Sequence, residues 1–341
     1  MMLFRRLAAG LLGALFVAGA LVPCVPAAQF SGSYSVNQLL VDLNIRDQGS
    51  IGTETYNLSG RTQLSPALVG GQSTAVLIIG GQSLGEDAIN TRAQFLSNPA
   101  LLDPAAVYVP TNGNLVQNLS IGNRGAIFNC VDPLLGGLDN LSHIGGRIAD
   151  KLINGGTYAR VILVTIATAG TYFADWALGG GVTGAGGTRT GLLNYRIGLA
   201  ARSLANAGLL NNPGLTKTIV LWEQGQQDSN APNTTQANAT TALQSIIDTF
   251  RLSGFPAASV PILIASSTNP ANAGAATIRA AEAAVVNNGA GVYVGSNTDS
   301  IGTDFANRYD ALHMAATAIG SGLGSDQHAN LWQTAILAGP H

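Results

Sequence analysis

The stretch VLIIGGQSLGED, residues 76–87, decides how the chain is read. Four apolar residues run without a break into two glycines, and Ser83 stands just beyond them. A continuous apolar run of this length fits a parallel strand covered on both faces, because such a strand has no solvent side to alternate toward. The glycines permit a sharp turn and close approach of another backbone or a substrate. Two readings of Ser83 follow. It is a nucleophile held out on a turn, or it is a polar residue in an ordinary strand-to-helix loop.

Further runs of the same kind follow: AVYVP (106–110), RVILVTIA (160–167), TIVLW (218–222), VPILIAS (260–266) and GVYVG (291–295). Helical patterns lie between or after them at 141–153, 192–208, 234–254, 276–289 and 310–322. The third of these ends on Arg251 and Gly254, a helix stop signal. Strands alternating with helices predict an α/β domain over residues 75–341, with any site beyond the carboxyl ends of the strands. Residues 29–74 are rich in Gly, Ser and Thr and read as an edge segment or extension. A glycine-rich loop, 171–191, is a candidate cover for the site.

At the amino end MMLFRR precedes the apolar run LAAGLLGALFVAGALV and the small residues of PCVPAA. This is the layout of a secretory signal peptide over residues 1–28, an uncleaved anchor being the competing reading. The expected location is secreted or periplasmic, with no stable membrane insertion after cleavage. About 310 residues then remain, enough for one large α/β domain or two small ones. Cys130 is left as the single cysteine, so an internal disulfide framework is excluded. Charged residues make up 10% of the chain and the net charge is -2, with no basic patch, which argues against nucleic acid as a partner.

Gly81-Gln82-Ser83-Leu84-Gly85 matches a G-x-S-x-G elbow, a weak signal in a chain holding 43 glycines. A serine nucleophile needs a base, and the chain has 4 histidines. His341 is terminal, and His143 and His328 read most simply as structural. His313 follows Asp310 by three residues, a spacing that puts both on one side of a turn. The pair serves equally as acid and base of a triad or as a helix cap and first-turn residue. Gln224 and Asp228 follow the strand TIVLW, where an amide can donate to an oxyanion or simply end the strand. Gly170 follows another strand, and Trp176 fits either core or a wall for a sugar ring.

Taken in order, GGQS, ATAGTYFADW, WEQGQQD and DALH resemble the spaced blocks of the SGNH hydrolase superfamily, and more narrowly its sialate O-acetylesterase-like and acetylxylan-esterase-like carbohydrate esterases. DPLLGGLDNLSHIGGRIADKL (132–152) resembles the segment preceding the second block there. The resemblance implies a three-layer α/β/α fold with a flavodoxin-like parallel sheet. It implies Ser83 as nucleophile, His313 as base and Asp310 as its orienting acid. The oxyanion hole would be the Ser83 and Gly170 N–H groups with the Gln224 side chain, and Gln82, Trp176 and Asp228 would line the substrate. The implied substrate is an O-acylated carbohydrate or other small ester, with neither metal nor cofactor. Leu84 stands where the family has Asn, and Gln226 where it has Glu. These departures leave open a non-catalytic glycan-binding or envelope protein on the same scaffold. A lipase or thioesterase of the superfamily is a further alternative.

Overall fold

A computed structural model describes residues 58, 60–65, 73–84, 108–132, 134–136, 143–178, 191, 193–210, 212, 216–231, 233–308 and 312–339. The expected leader over 1–28, most of 29–74 and most of the glycine-rich loop, 179–190, lie outside these residues.

The strands are β1 (Gln63–Leu64), β2 (Thr74–Gly81), β3 (Val116–Ser120), β4 (Ala126–Asn129), β5 (Arg160–Thr165), β6 (Thr216–Glu223), β7 (Ile262–Ser266) and β8 (Val292–Asn297). The helices are α1 (Ile144–Asn154), α2 (Phe173–Trp176), α3 (Tyr195–Asn206), α4 (Gln226–Asn230), α5 (Gln236–Leu252), α6 (Ala275–Val285) and α7 (Gly324–Ala338). One sheet of eight strands runs in the order β1-β4-β3-β5-β2-β6-β7-β8. It is mixed rather than wholly parallel. From β3 to β8 all neighbours are parallel, while β4 and β1 run antiparallel at one edge.

Strand β2 is buried along its whole length, and its residues divide between two cores. Val76 and Ile78 point to one face, where α3, α5 and α6 bring Ile197, Leu204, Leu243, Phe250 and Ile278. Ala75, Leu77 and Ile79 point to the other, where α1 and α7 bring Ile148, Leu152, Trp332 and Ile336. Burial on both faces is the reason the strand reads as an unbroken apolar run. Each of these large aliphatic side chains contributes about 1.5–3 kcal/mol by leaving water. Among the described residues no helix is long and apolar enough to cross a membrane.

Several helix ends follow from local chemistry. His143 caps α1, its Nδ1 accepting from Gly145 N at 2.9 Å. Thr235 caps α5, with Oγ1 accepting from Asn238 N at 3.2 Å, and Gly254 with φ 104° follows its end. Over its described residues, 312–322, the helix predicted at 310–322 does not form. Within its described part, the Leu312 carbonyl accepts from Arg308 Nη1 and Ala315 N donates back to Asn307 O at 2.8 Å. Those groups are therefore lost to a helical ladder. Positive φ at Gly320, Gly322 and Gly324 then turns the chain, and the helix starts at Gly324.

The strand predicted at AVYVP is also absent over its described residues, Tyr108–Pro110. Tyr108 N donates to Asp132 Oδ2 at 3.0 Å, and Pro110 has no N–H to give. The neighbouring strand is instead β3, which sequence reading passed over. Its Asn118 is fully buried because Leu135 N donates to its Oδ1 at 2.6 Å and its Nδ2 donates to Leu163 O at 3.2 Å.

Candidate active site

The sheet order makes β2 a switch point. The chain leaves β2 for β3 and β5 on one side and then crosses to β6, β7 and β8 on the other. In open α/β sheets the crevice at such a point collects ligands. Here the ends of β5, β2 and β6 are knitted together by backbone hydrogen bonds. Thr168 N donates to Gly81 O at 3.0 Å and Gln82 N donates to Glu223 O at 2.9 Å. Gly81 has φ 113°, and a Cβ there would lie 2.0 Å from Glu223 O, so only glycine allows the approach. Beyond this turn Leu84 is pinned in the core, and Ser83 between them is 6% exposed.

Ser83 Oγ lies 3.5 Å from Gln226 Oε1, which also accepts from Gln82 Nε2. Gln82 Oε1 in turn accepts from Gln227 N at 3.2 Å. The first and third sequence blocks thus meet side chain to side chain. Gln224 sits beside them with Nε2 donating to Thr171 O at 2.9 Å and to Asp228 Oδ2 at 3.5 Å. Asp228 also accepts from Phe173 N at 3.0 and 3.2 Å, tying the second block to the third. Burial pushes the Asp228 carboxyl up to about 7, against hydrogen bonds from Phe173 N and Gln224 that pull it down. Nearby Glu282 is held well above the usual carboxylate range by burial first and then by Asp299.

Gly170 lies at an exposed turn with φ 68°. Trp176 is core rather than a wall of the site. It is fully buried, meets Trp222 edge to face at 5.2 Å, and donates from Nε1 to Thr171 Oγ1 at 3.1 Å. His313 is half-buried in the loop that replaces the predicted helix, and Asp310 lies outside the described residues. That loop is fastened to the carboxyl end of the sheet by Arg308, whose Nη2 donates to Thr298 O, just past β8, at 2.7 Å.

Behind Ser83 lies a layer that sequence reading did not assemble. Gln226 Nε2 donates to Ser267 Oγ at 3.0 Å, and Ser267 Oγ donates to Glu223 Oε1 at 3.4 Å. Glu223 Oε2 meets His328 Nε2 at 3.0 Å and accepts from Trp332 Nε1 at 2.9 Å. A sequence signal for it existed in TIVLWE, an acidic residue closing an apolar strand. Among the described residues no group of three or more His, Cys, Asp or Glu side chains is placed to hold a metal ion.

No family model and no curated protein matches the chain. Among solved structures, a protein from Arabidopsis thaliana superposes with a TM-score of 0.53 at 17% identity, covering 77% of this chain and 98% of that one. A carbohydrate acetylesterase from Xanthomonas citri gives a TM-score of 0.40 at 14% identity, over 68% of this chain and 51% of that one. The first likeness concerns the fold alone, and the second is too loose to bear weight.

Proposed function

We propose that the chain is an exported serine esterase that removes O-acyl groups, acetyl above all, from carbohydrate, on a fold of the SGNH hydrolase type. One observation carries the reading: Ser83 sits just past the carboxyl end of the central strand, at the switch point, 3.5 Å from the Gln226 side chain beyond β6, on a turn tied by backbone hydrogen bonds to the ends of both flanking strands. That is where an α/β sheet offers a crevice and where a nucleophile can be held rigidly. The order of the four sequence blocks supports His313 and Asp310 as its partners.

In this mechanism Ser83 Oγ attacks the ester carbonyl while His313 takes its proton, with Asp310 orienting the imidazole. The Ser83 N–H, Gly170 N–H and Gln224 amide receive the developing oxyanion. Gln224 has a donor to offer because its contact to Asp228, at 3.5 Å, is long and exchangeable. His313 then protonates the leaving sugar hydroxyl, and water releases the acyl group from Ser83 by the reverse sequence. The Ser83→Ala variant is expected to lose hydrolysis of p-nitrophenyl acetate while keeping the wild-type thermal midpoint. Undiminished turnover refutes the reading.

A second reading, a non-catalytic glycan-binding protein, is favoured by the depth of Ser83 and by Leu84 filling core beside it. Stoichiometric reaction of Ser83 with a fluorophosphonate separates the two, because a binder has no reason to activate that hydroxyl.

A further inference from the structure

We propose that Glu223 is a positioning residue for Ser83, acting through Ser267 and Gln226; the inference rests on the esterase reading of Ser83. Glu223, Gln226 and Ser267 are fully buried, so each hydrogen bond among them must be made within the protein.

The direction of every bond in this chain follows from its far end. An indole N–H can only donate, so the Glu223 oxygen facing Trp332 Nε1 at 2.9 Å is an acceptor. The other Glu223 oxygen accepts the hydroxyl proton of Ser267 at 3.4 Å. Having spent its proton, Ser267 Oγ accepts from Gln226 Nε2 at 3.0 Å. This sets which way the Gln226 amide points. Its nitrogen faces Ser267, and its oxygen faces Gln82 Nε2 and Ser83 Oγ. From the opposite side, Gln227 N donates to Gln82 Oε1 at 3.2 Å and so turns the Gln82 NH₂ toward Gln226. The two ends agree, and Gln226 presents an uncharged oxygen 3.5 Å from Ser83 Oγ, a long contact that the hydroxyl exchanges when its proton passes to His313. A carboxylate three hydrogen bonds away thus sets which atom of the Gln226 amide faces the nucleophile, without placing a negative charge against it.

The isosteric change Glu223→Gln reverses this polarity. Trp332 N–H claims the oxygen of the new amide, which leaves its NH₂ facing Ser267. The Ser267 hydroxyl then has no acceptor unless Gln226 turns over. A turned Gln226 points N–H groups at Gln82 Nε2 and at Ser83. The double change E223Q/Q226E cures the conflict, because a carboxylate at position 226 accepts from Ser267, Gln82 and Ser83 in either orientation.

The test compares wild type, S83A, E223Q, S267A and E223Q/Q226E on p-nitrophenyl acetate, with thermal midpoints for each and the fluorophosphonate labelling rate of Ser83 as a second readout. The expected result for E223Q is a kcat lower by on the order of ten- to hundredfold with KM changed less than about threefold, as for a displaced reacting group. S267A is expected to match E223Q, and the double variant to return to within about threefold of wild type. An E223Q enzyme with wild-type kcat overturns the proposal. So does a folded double variant as slow as E223Q, which marks Glu223 as a merely structural group. If E223Q does not fold, S267A decides, since it leaves Glu223 with His328 and Trp332, and unchanged kcat in it overturns the proposal. Turnover or labelling that persists in S83A instead strikes the esterase reading itself, whatever Glu223 does.

Discussion

The Asp228 carboxyl offers a quantitative test of how the three strand ends are held together. Its value rises from an ordinary 3.8 to about 7 on folding, chiefly through burial. A group whose folded value is raised binds its proton more tightly in the native state, so it stabilises the fold below pH 3.8 and loses that contribution as pH climbs through 7. Between pH 5 and pH 7 the folded protein holds roughly one more proton here than the unfolded chain. Each pH unit well below 7 then removes about 1.4 kcal/mol, and the whole span from pH 5 to pH 8 removes roughly 2.5–3 kcal/mol. Asp228→Asn cannot ionise and keeps an acceptor for Phe173 N, so its stability should lack this slope. Glu282 is shifted in the same direction, and the difference between variant and wild type isolates Asp228 from it. Urea unfolding at pH 5 and pH 8 measures both proteins. Wild type should lose roughly 2.5–3 kcal/mol more than the variant over this range. Parallel losses would refute the argument that Asp228 is buried and protonated in the joint between Phe173 and Gln224.

Three other outcomes follow from the packing and the site. Gly81→Ala, with its Cβ 2.0 Å from Glu223 O at φ 113°, should lower stability by about 2–3 kcal/mol or more, read as a drop in thermal midpoint. Trp176→Ala should lower it by about 3–5 kcal/mol in urea unfolding, because the indole is core against Trp222. His313→Ala should reduce kcat for p-nitrophenyl acetate by on the order of a thousandfold or more with an unchanged unfolding midpoint, as expected of a lost general base.

How much of this was legible in the sequence depends on where each residue's hydrogen bonds go. The strands β2, β5, β6 and β7 were read correctly because they are covered on both faces over most of their length and carry continuous apolar runs, and the edge strand β8, with Val294 67% exposed, was read from its short β-rich run GVYVG. The hairpin of β3 and β4 was missed. VQNLS is buried by satisfying Asn118 rather than by excluding polar residues, and no apolar count reveals that. The helix over 310–322 failed for a related reason, since Arg308 takes a carbonyl the helix needs. At the candidate site, the sequence placed Ser83, Gln82, Gln224 and Asp228 beside glycines at strand ends, and the structure gathers Ser83 and Gln82 against Gln226, and Gln224 against Asp228, at the ends of β2 and β6. The partnership of Glu223 with His328 spans 105 residues, and nothing local in DQHANLW announces it. Its discovery required the packing of α7 against the end of β6.

The central claim is that Ser83 is an activated nucleophile, and labelling by a fluorophosphonate measures activation directly. Wild-type protein should be modified once per chain, with the adduct on the peptide containing Ser83 and the labelling lost in both S83A and H313A. A folded wild-type protein that stays unlabelled, or one labelled equally well without His313, would contradict the account.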